Sequence, residues 1–259
     1  MTDQDPTRIH LTEDGSHTLY SGHFGQYYHN PNGAIAESRH NFFDVPRLKE
    51  RLERAGRFSI LEMGFGTGLN LLLLTELLEK LEHPPAVTFR SVEGYPISPE
   101  RASSLNYPKL LGMENRPELL VSIFDKLKPG LNRFSVSGYL ELELFIGPFE
   151  ENPPPAELYD AIFFDPFSPE VNADMWAPSV FETLRDASSP DVLLSTYCAA
   201  SGARAALAVA GWKVARTQGA LGKREMTLAA RRPEILEGWK RLNEERLARR
   251  YRNGEFDTN

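Results

Sequence analysis

The chain has 259 residues, 41% hydrophobic and 25% charged, room for one large α/β domain with additions. A net charge of −7 argues against a general nucleic-acid binder, and a single cysteine, Cys198, excludes an internal disulfide framework or a cysteine-rich zinc site. The acidic N-terminus lacks the apolar core of a signal peptide, and no apolar run approaches the roughly 18 residues that cross a bilayer, so a cytoplasmic protein with no membrane partner is expected.

Residues 1–45 read as an extension packed on a larger main domain. Short β-type pieces at 8–11 and 17–20 flank the turn Glu13-Asp14-Gly15-Ser16. Tyr20, Phe24, Tyr27 and Tyr28 come next, then a turn at Asn30-Pro31-Asn32-Gly33 and a helix over 34–43 that carries Glu37, Ser38 and Arg39. Strand and helix patterns then alternate through the main domain at 46–230. Strands are expected at 58–61, 87–93, 139–146, 160–165 and 192–196, with helices at 69–81, 99–105, 117–127, 178–185 and 200–210. Such alternation gives a mostly parallel sheet covered on both faces. Runs at 212–217 and 225–229 have hairpin spacing, so the sheet should end in an antiparallel pair. A stiff loop is expected at Asn152-Pro153-Pro154-Pro155, a helix at 233–252 and a frayed tail at 253–259. Residues 231–252 hold eight Lys or Arg against four Glu, a local excess of four bases. A solvated terminal helix with i,i+4 charge pairs explains that pattern; a strip that holds phosphates is the alternative.

The most informative stretch is Glu62-Met63-Gly64-Phe65-Gly66-Thr67-Gly68-Leu69-Asn70, where an apolar strand ends in an acid, passes three glycines and opens into a helix. A turn bare of side chains lets a ligand lie against backbone at a helix N-terminus. The third glycine comes too early for the dinucleotide fingerprint, and Gly68-Leu69-Asn70 lacks the Lys-Ser/Thr of a phosphate loop. Acid-x-Gly-x-Gly-x-Gly is instead the pattern used for S-adenosylmethionine (SAM), a sulfonium cation that Glu62 suits. In open α/β sheets ligands sit beyond the carboxyl ends of the strands. Glu93 ends the second strand, 27 positions after Gly66, where a carboxylate can accept both ribose hydroxyls. Asp165-Pro166-Phe167 follows an apolar strand and is similar to the Asn/Asp-Pro-Pro-Tyr/Phe segment of amino-nitrogen methyltransferases. Acceptors there hold amine N–H bonds and turn the lone pair toward the methyl carbon. A turn Asp before Pro is the plain alternative. Cys198 reads as a small core residue, and the six histidines show no ligand spacing, so no metal is expected. Tyr27 and Tyr28 read as packing aromatics or as a base-stacking pair, and Gly222-Lys223-Arg224-Glu225 as a surface turn or a nucleotide-facing one.

Five segments give the chain a specific resemblance to the bacterial tRNA wobble-uridine methyltransferases of the MnmC/MnmD family. They are Asn32 to Phe42, Glu62 to Asn70, Val92 to Pro96, Phe163 to Trp176 (with Asp174-Met175-Trp176) and Gly222 to Met226. The resemblance runs from about residue 8 to about residue 230. It implies a SAM-dependent methyltransferase (Rossmann-like) α/β fold, mostly parallel with an antiparallel C-terminal hairpin and an N-terminal extension. The implied reaction is N-methylation of the exocyclic amine of 5-aminomethyl-(2-thio)uridine at the tRNA wobble position. Glu62, Gly64, Gly66, Thr67, Gly68 and Asn70 would hold the methionine end of SAM, Glu93 the ribose, with Gly147 also at the cofactor, and Asp165 would orient the amine. Pro166, Phe167, Tyr28, Arg39, Lys223 and Arg224 would meet the substrate, the anticodon stem-loop of a tRNA. Pro148 stands where family members often carry an acid against adenine, which leaves Glu150, Glu151 or backbone for that role. Two-domain members also carry a flavin oxidoreductase, for which this sequence has no room, so a separate enzyme is expected to make the aminomethyl substrate. The competing reading is a small-molecule amine methyltransferase or an aminopropyl transferase on the same fold.

Overall fold

Apolar side chains alternate along the central strands and so divide between two helical layers, as the period-two geometry of a strand requires. The computed structural model describes residues 7–151, 154 and 159–256. The expected proline loop at 152–155, except Pro154, and the end of the tail beyond Phe256 lie outside the described residues.

β1 (Arg8–Leu11), β2 (His17–Ser21) and β3 (Gln26–Tyr27) form a small antiparallel sheet of their own. α1 (Ala34–Ser38) follows, and the helix expected over 34–43 then changes winding to a π-helical stretch at Arg39–Asp44. Its adjacent Phe42 and Phe43 both meet Phe163 of the main sheet, with ring centroids 5.1 and 5.5 Å away. After α2 (Leu48–Glu53) come β4 (Arg57–Met63), α3 (Leu69–Glu79), β5 (Ala86–Glu93), α4 (Pro99–Ser103), α5 (Tyr107–Leu110) and α6 (Leu119–Asp125). Then come β6 (Gly130–Ser137), β7 (Leu140–Ile146), β8 (Tyr159–Phe164), α7 (Pro178–Asp186), β9 (Ser188–Thr196) and α8 (Ser201–Val209). β10 (Lys213–Thr217), β11 (Met226–Ala230), β12 (Lys240–Arg241) and α9 (Glu244–Arg252) complete the described chain.

The nine strands of the main sheet run β12-β10-β11-β9-β8-β4-β5-β7-β6. β9, β8, β4, β5 and β7 are parallel, and the expected C-terminal hairpin is β10–β11, with β11 antiparallel to β9. The chain leaves β4 toward β5 on one side and returns to β8 on the other. The switch in strand order therefore lies between β4 and β8, where such sheets bind ligands. Phe58, Ile60, Phe89 and Phe163 pack on one face with α3, while Leu61, Met63, Ile162 and Phe164 pack on the other with α7 and α8. Each such side chain stabilises the fold by about 1.5–3 kcal/mol.

The short elements β3, α2 and α5 were not foreseen, and two larger differences stand beside them. β6 pairs antiparallel with β7 and gives the sheet a second antiparallel edge. Its burial alternates only between exposed and half-buried, so its hydrophobic signal is weak. The helix expected over 233–252 is broken into a 3-10 turn at Pro233–Leu236, β12 and α9. Gly238 at φ +90° ends the first piece, and the Asn243 side chain accepts from the Arg246 N–H at 2.8 Å to start the last.

Candidate active site

The loops leaving the parallel strands stay in register for one more step. Gly64 N–H donates to Val92 O (2.9 Å), Asp165 N–H to Met63 O (3.0 Å) and Gly147 N–H to Glu93 O (3.0 Å). The residues that come after β4, β7 and β8 are thus fixed side by side. A cavity of about 640 Å³ opens above them.

Gly64, at φ +93°, cannot carry a side chain, since a Cβ there would stand 2.8 Å from the Asp165 carbonyl oxygen. Glu93 lies at the end of β5, and its carboxylate accepts from Gly66 N–H at 2.8 Å and Tyr95 N–H at 2.6 Å. The acid therefore shapes the glycine turn as well as lining the cavity. Burial raises the Glu93 pKa against these bonds. Asn70, on the first turn of α3, lines the cavity and donates to Glu62 Oε1 at 2.9 Å, while its buried Oδ1 has no partner among the described residues.

Asp165 sits on a pinned loop. Tyr197 O–H donates to Pro166 O (2.8 Å), Trp176 Nε1–H to Phe167 O (2.9 Å), and Gln26 Nε2–H to Ser168 Oγ (2.7 Å). Phe167 stacks on Phe24 at 4.3 Å and meets Tyr28 edge-on at 5.0 Å, which ties the loop to the N-terminal sheet. Burial raises the Asp165 pKa well above the usual carboxylate range, the charges of Glu37 and Glu62 add to this, and Lys223 and Asn70 oppose it.

Of the residues expected from the sequence, Gly64, Gly66, Asn70, Glu93, Gly147, Asp165, Pro166, Phe167, Tyr28 and Lys223 all line this cavity, as does Glu150. Five others stand outside the lining. Glu62 lies behind the turn, buried, where it also accepts from Ser91 O–H at 2.6 Å. Thr67 faces away from the cavity, with its hydroxyl between His29 Nε2 (2.9 Å) and the Tyr107 hydroxyl (3.3 Å). A Cβ on Gly68 would run into Leu120 at 2.6 Å, so that glycine serves helix packing. Arg39 is paired with Glu76 of α3 at 2.6 Å, and Arg224 is exposed on the β10–β11 loop. Glu37 and Tyr197 line the cavity without having been selected as site residues. The available signal for Glu37 was a charge among small and apolar neighbours, Ala34, Ile35, Ala36 and Ser38, on a short helix.

Comparison with known proteins agrees with this geometry. Residues 113–232 match a family model described as S-adenosyl-L-methionine-dependent methyltransferase. In structure the chain resembles MnmC2 from Aquifex aeolicus with a TM-score of 0.72, at 24% identity, over 96% of this chain and 76% of that one. Fold, glycine turn and family-model match all resemble one class, the SAM-dependent methyltransferases. Within that class it is similar to the MnmC proteins. It is 35% identical over 234 residues to the tRNA 5-methylaminomethyl-2-thiouridine biosynthesis bifunctional protein MnmC of Pseudomonas paraeruginosa, covering 87% of this chain and 35% of that protein. Its counterpart in Leptospira interrogans is 34% identical over 236 residues, covering 88% of this chain and 36% of that protein. The chain thus spans about a third of the length of the curated relatives it matches.

Proposed function

We propose that this chain methylates the exocyclic amine of 5-aminomethyl-(2-thio)uridine at the wobble position of tRNA, using SAM. The observation that carries the reading is the placement of Asp165. Its half-buried carboxyl stands just after β8, in the same cavity as the bare turn of β4 and the acid of β5. The names of the MnmC relatives support the choice of base.

The residues present fit SAM. Asn70 Oδ1, without a partner among the described residues, is an acceptor for its ammonium group, the Glu93 carboxylate suits ribose hydroxyls, and Gly64 and Gly66 keep the turn free of side chains beside the cavity. Gly147, Pro148 and Glu150 line the adenine end in this reading. Glu62, Thr67 and Gly68 act from behind, by holding Asn70 and the turn. Bound there, SAM supplies a methyl carbon whose bond to sulfur breaks as an amine lone pair forms the C–N bond. Asp165 accepts hydrogen bonds from the amine and takes the proton that an alkylammonium must lose before its lone pair is free. A raised pKa suits a carboxyl to this task, because it narrows the gap to the amine. Pro166, Phe167 and Tyr28 wall the base-binding side. Residues 1–45 act as an extension that shapes this wall, 46–230 as the catalytic domain and 231–259 as a C-terminal addition. The acceptor is an amine already attached to the base, so a separate enzyme that installs the aminomethyl group acts first.

Incubation with SAM and tRNA bearing 5-aminomethyl-uridine should give 5-methylaminomethyl-uridine by nucleoside mass spectrometry. Methylation of free amines with the tRNA left unmodified would favour a small-molecule enzyme instead.

A further inference from the structure

We propose that Glu37 and the ring of Tyr197 form the recognition site for the primary ammonium of the substrate, and that the Lys223 ammonium occupies this site until substrate displaces it. The inference rests on the amine-methyltransferase reading above.

Lys223 Nζ lies 2.5 Å from Glu37 Oε1 and 5.3 Å from the centroid of the Tyr197 ring. A carboxylate beside an aromatic face is the combination that recognises an alkylammonium. All three side chains line the cavity that holds Asp165. Lysine ends in CH2–NH3+, the same group that an aminomethyl substituent presents, so Lys223 is a mimic of the substrate in the pocket.

The two partners differ in freedom. Glu37 is 7% exposed, and its second oxygen accepts from the Asn30 N–H at 2.7 Å, so the carboxylate is fixed. Lys223 sits on the exposed loop between β10 and β11, after Leu221 at φ +49° and Gly222 at φ +79°, with a side chain 40% exposed. It can swing out to water while Glu37 cannot. Exchange of one ammonium for another keeps the buried carboxylate paired throughout, which avoids the cost of an isolated buried charge. A hydroxymethyl or unsubstituted base would not restore that pairing, so the arrangement selects for an amine. Glu37 then binds the cation while Asp165 takes its proton.

The competing explanation is a structural tie between the extension and the hairpin. Steady-state methylation of aminomethyl-uridine tRNA by E37Q, K223M and the double variant separates the two, with SAM affinity and thermal unfolding measured alongside. The amide introduced by E37Q keeps an oxygen for the Asn30 N–H. E37Q should raise KM for the tRNA by about 10- to 100-fold, the worth of a hydrogen bond to a charged group, at unchanged SAM affinity. K223M should lower KM severalfold, because the internal competitor is gone, and the double variant should behave as E37Q does. An unchanged KM in E37Q, or a KM raised by K223M, overturns the proposal while leaving the methylation reading intact. Absence of methylation by the wild type would reject that reading instead. The ammonium site is then tested without turnover, by calorimetric titration with 5-aminomethyl-uridine nucleoside. Tighter binding to K223M and weaker binding to E37Q support the site, and equal binding to all variants removes it.

Discussion

Glu62 occupies the face of β4 that lies under the first turn of α3, where Asn70 and Ser91 donate to its two oxygens. Burial outweighs those bonds, and with the charge of Glu93 it pushes the Glu62 pKa up to about 8 from an ordinary 4.5. A carboxyl with a raised folded-state pKa lends full stability below its unfolded pKa, and that contribution is lost as pH rises through the folded value. The window here runs from 4.5 to about 8. Glu62→Gln should therefore flatten part of the fall in stability across that window, measured by urea unfolding at several pH values against the wild type. Identical slopes would mean that Glu62 is ionised in the fold. That an acid precedes the glycine turn was legible in the sequence. Which way it points was not, because strand parity relative to the overlying helix is a property of packing. The same holds for Arg39, whose partner Glu76 lies a helix away in sequence.

Two elements meet at Gly64, the β4 turn and the loop after β8. A methyl group there would press on the Asp165 carbonyl at 2.8 Å and demand φ +93° of an L-residue. Gly64→Ala should cost roughly 1–3 kcal/mol in denaturant unfolding and weaken SAM binding as well. A variant as stable and as tight as the wild type would show that the turn relaxes freely. The spacing of the three glycines made this element readable, since residues without side chains mark close packing, against backbone at Gly64 and against side chains at Gly66 and Gly68. The Asp-Pro-Phe loop was readable for a related reason, as a polar stop after an apolar strand. β6 and β12 escaped because edge strands carry little hydrophobic signal, and the break at Gly238 escaped because charge periodicity continues on both sides of it.

At the scale of the molecule, the proposed function requires a chain of net charge −7 to meet a polyanion. The segment after α9 reaches the first turn of α8, where Phe256 lies against Gly202, five residues beyond the cavity-lining Tyr197. Some arginines of the C-terminal segment are spent internally, Arg241 on Glu244 and Arg250 on Glu255. Exposed Arg249 and Arg252 have no ion-pair partner among the described residues. Charge pairing accounts for Arg241 and Arg250, and the alternative of a phosphate-binding strip is left to Arg249 and Arg252 as a proposal. Arg249→Gln with Arg252→Gln should weaken tRNA binding and make its logarithmic salt dependence shallower by about 1.5, at roughly 0.7–0.9 per phosphate contact. Binding of the nucleoside alone should not change. An unaltered salt slope would return both residues to a solvated surface.

Central to the proposed mechanism is that the carboxylate just after β8 acts on the methyl acceptor and not on the donor. Asp165→Asn keeps the shape of the side chain and removes its ability to take a proton, so the single-turnover methylation rate of this variant, read beside its SAM dissociation constant, is the most direct test. The rate should fall by about 100-fold or more, the usual worth of a general base, with SAM affinity within about threefold of the wild type. A rate left near the wild-type value, or a rate and an affinity that fall together, would contradict the account.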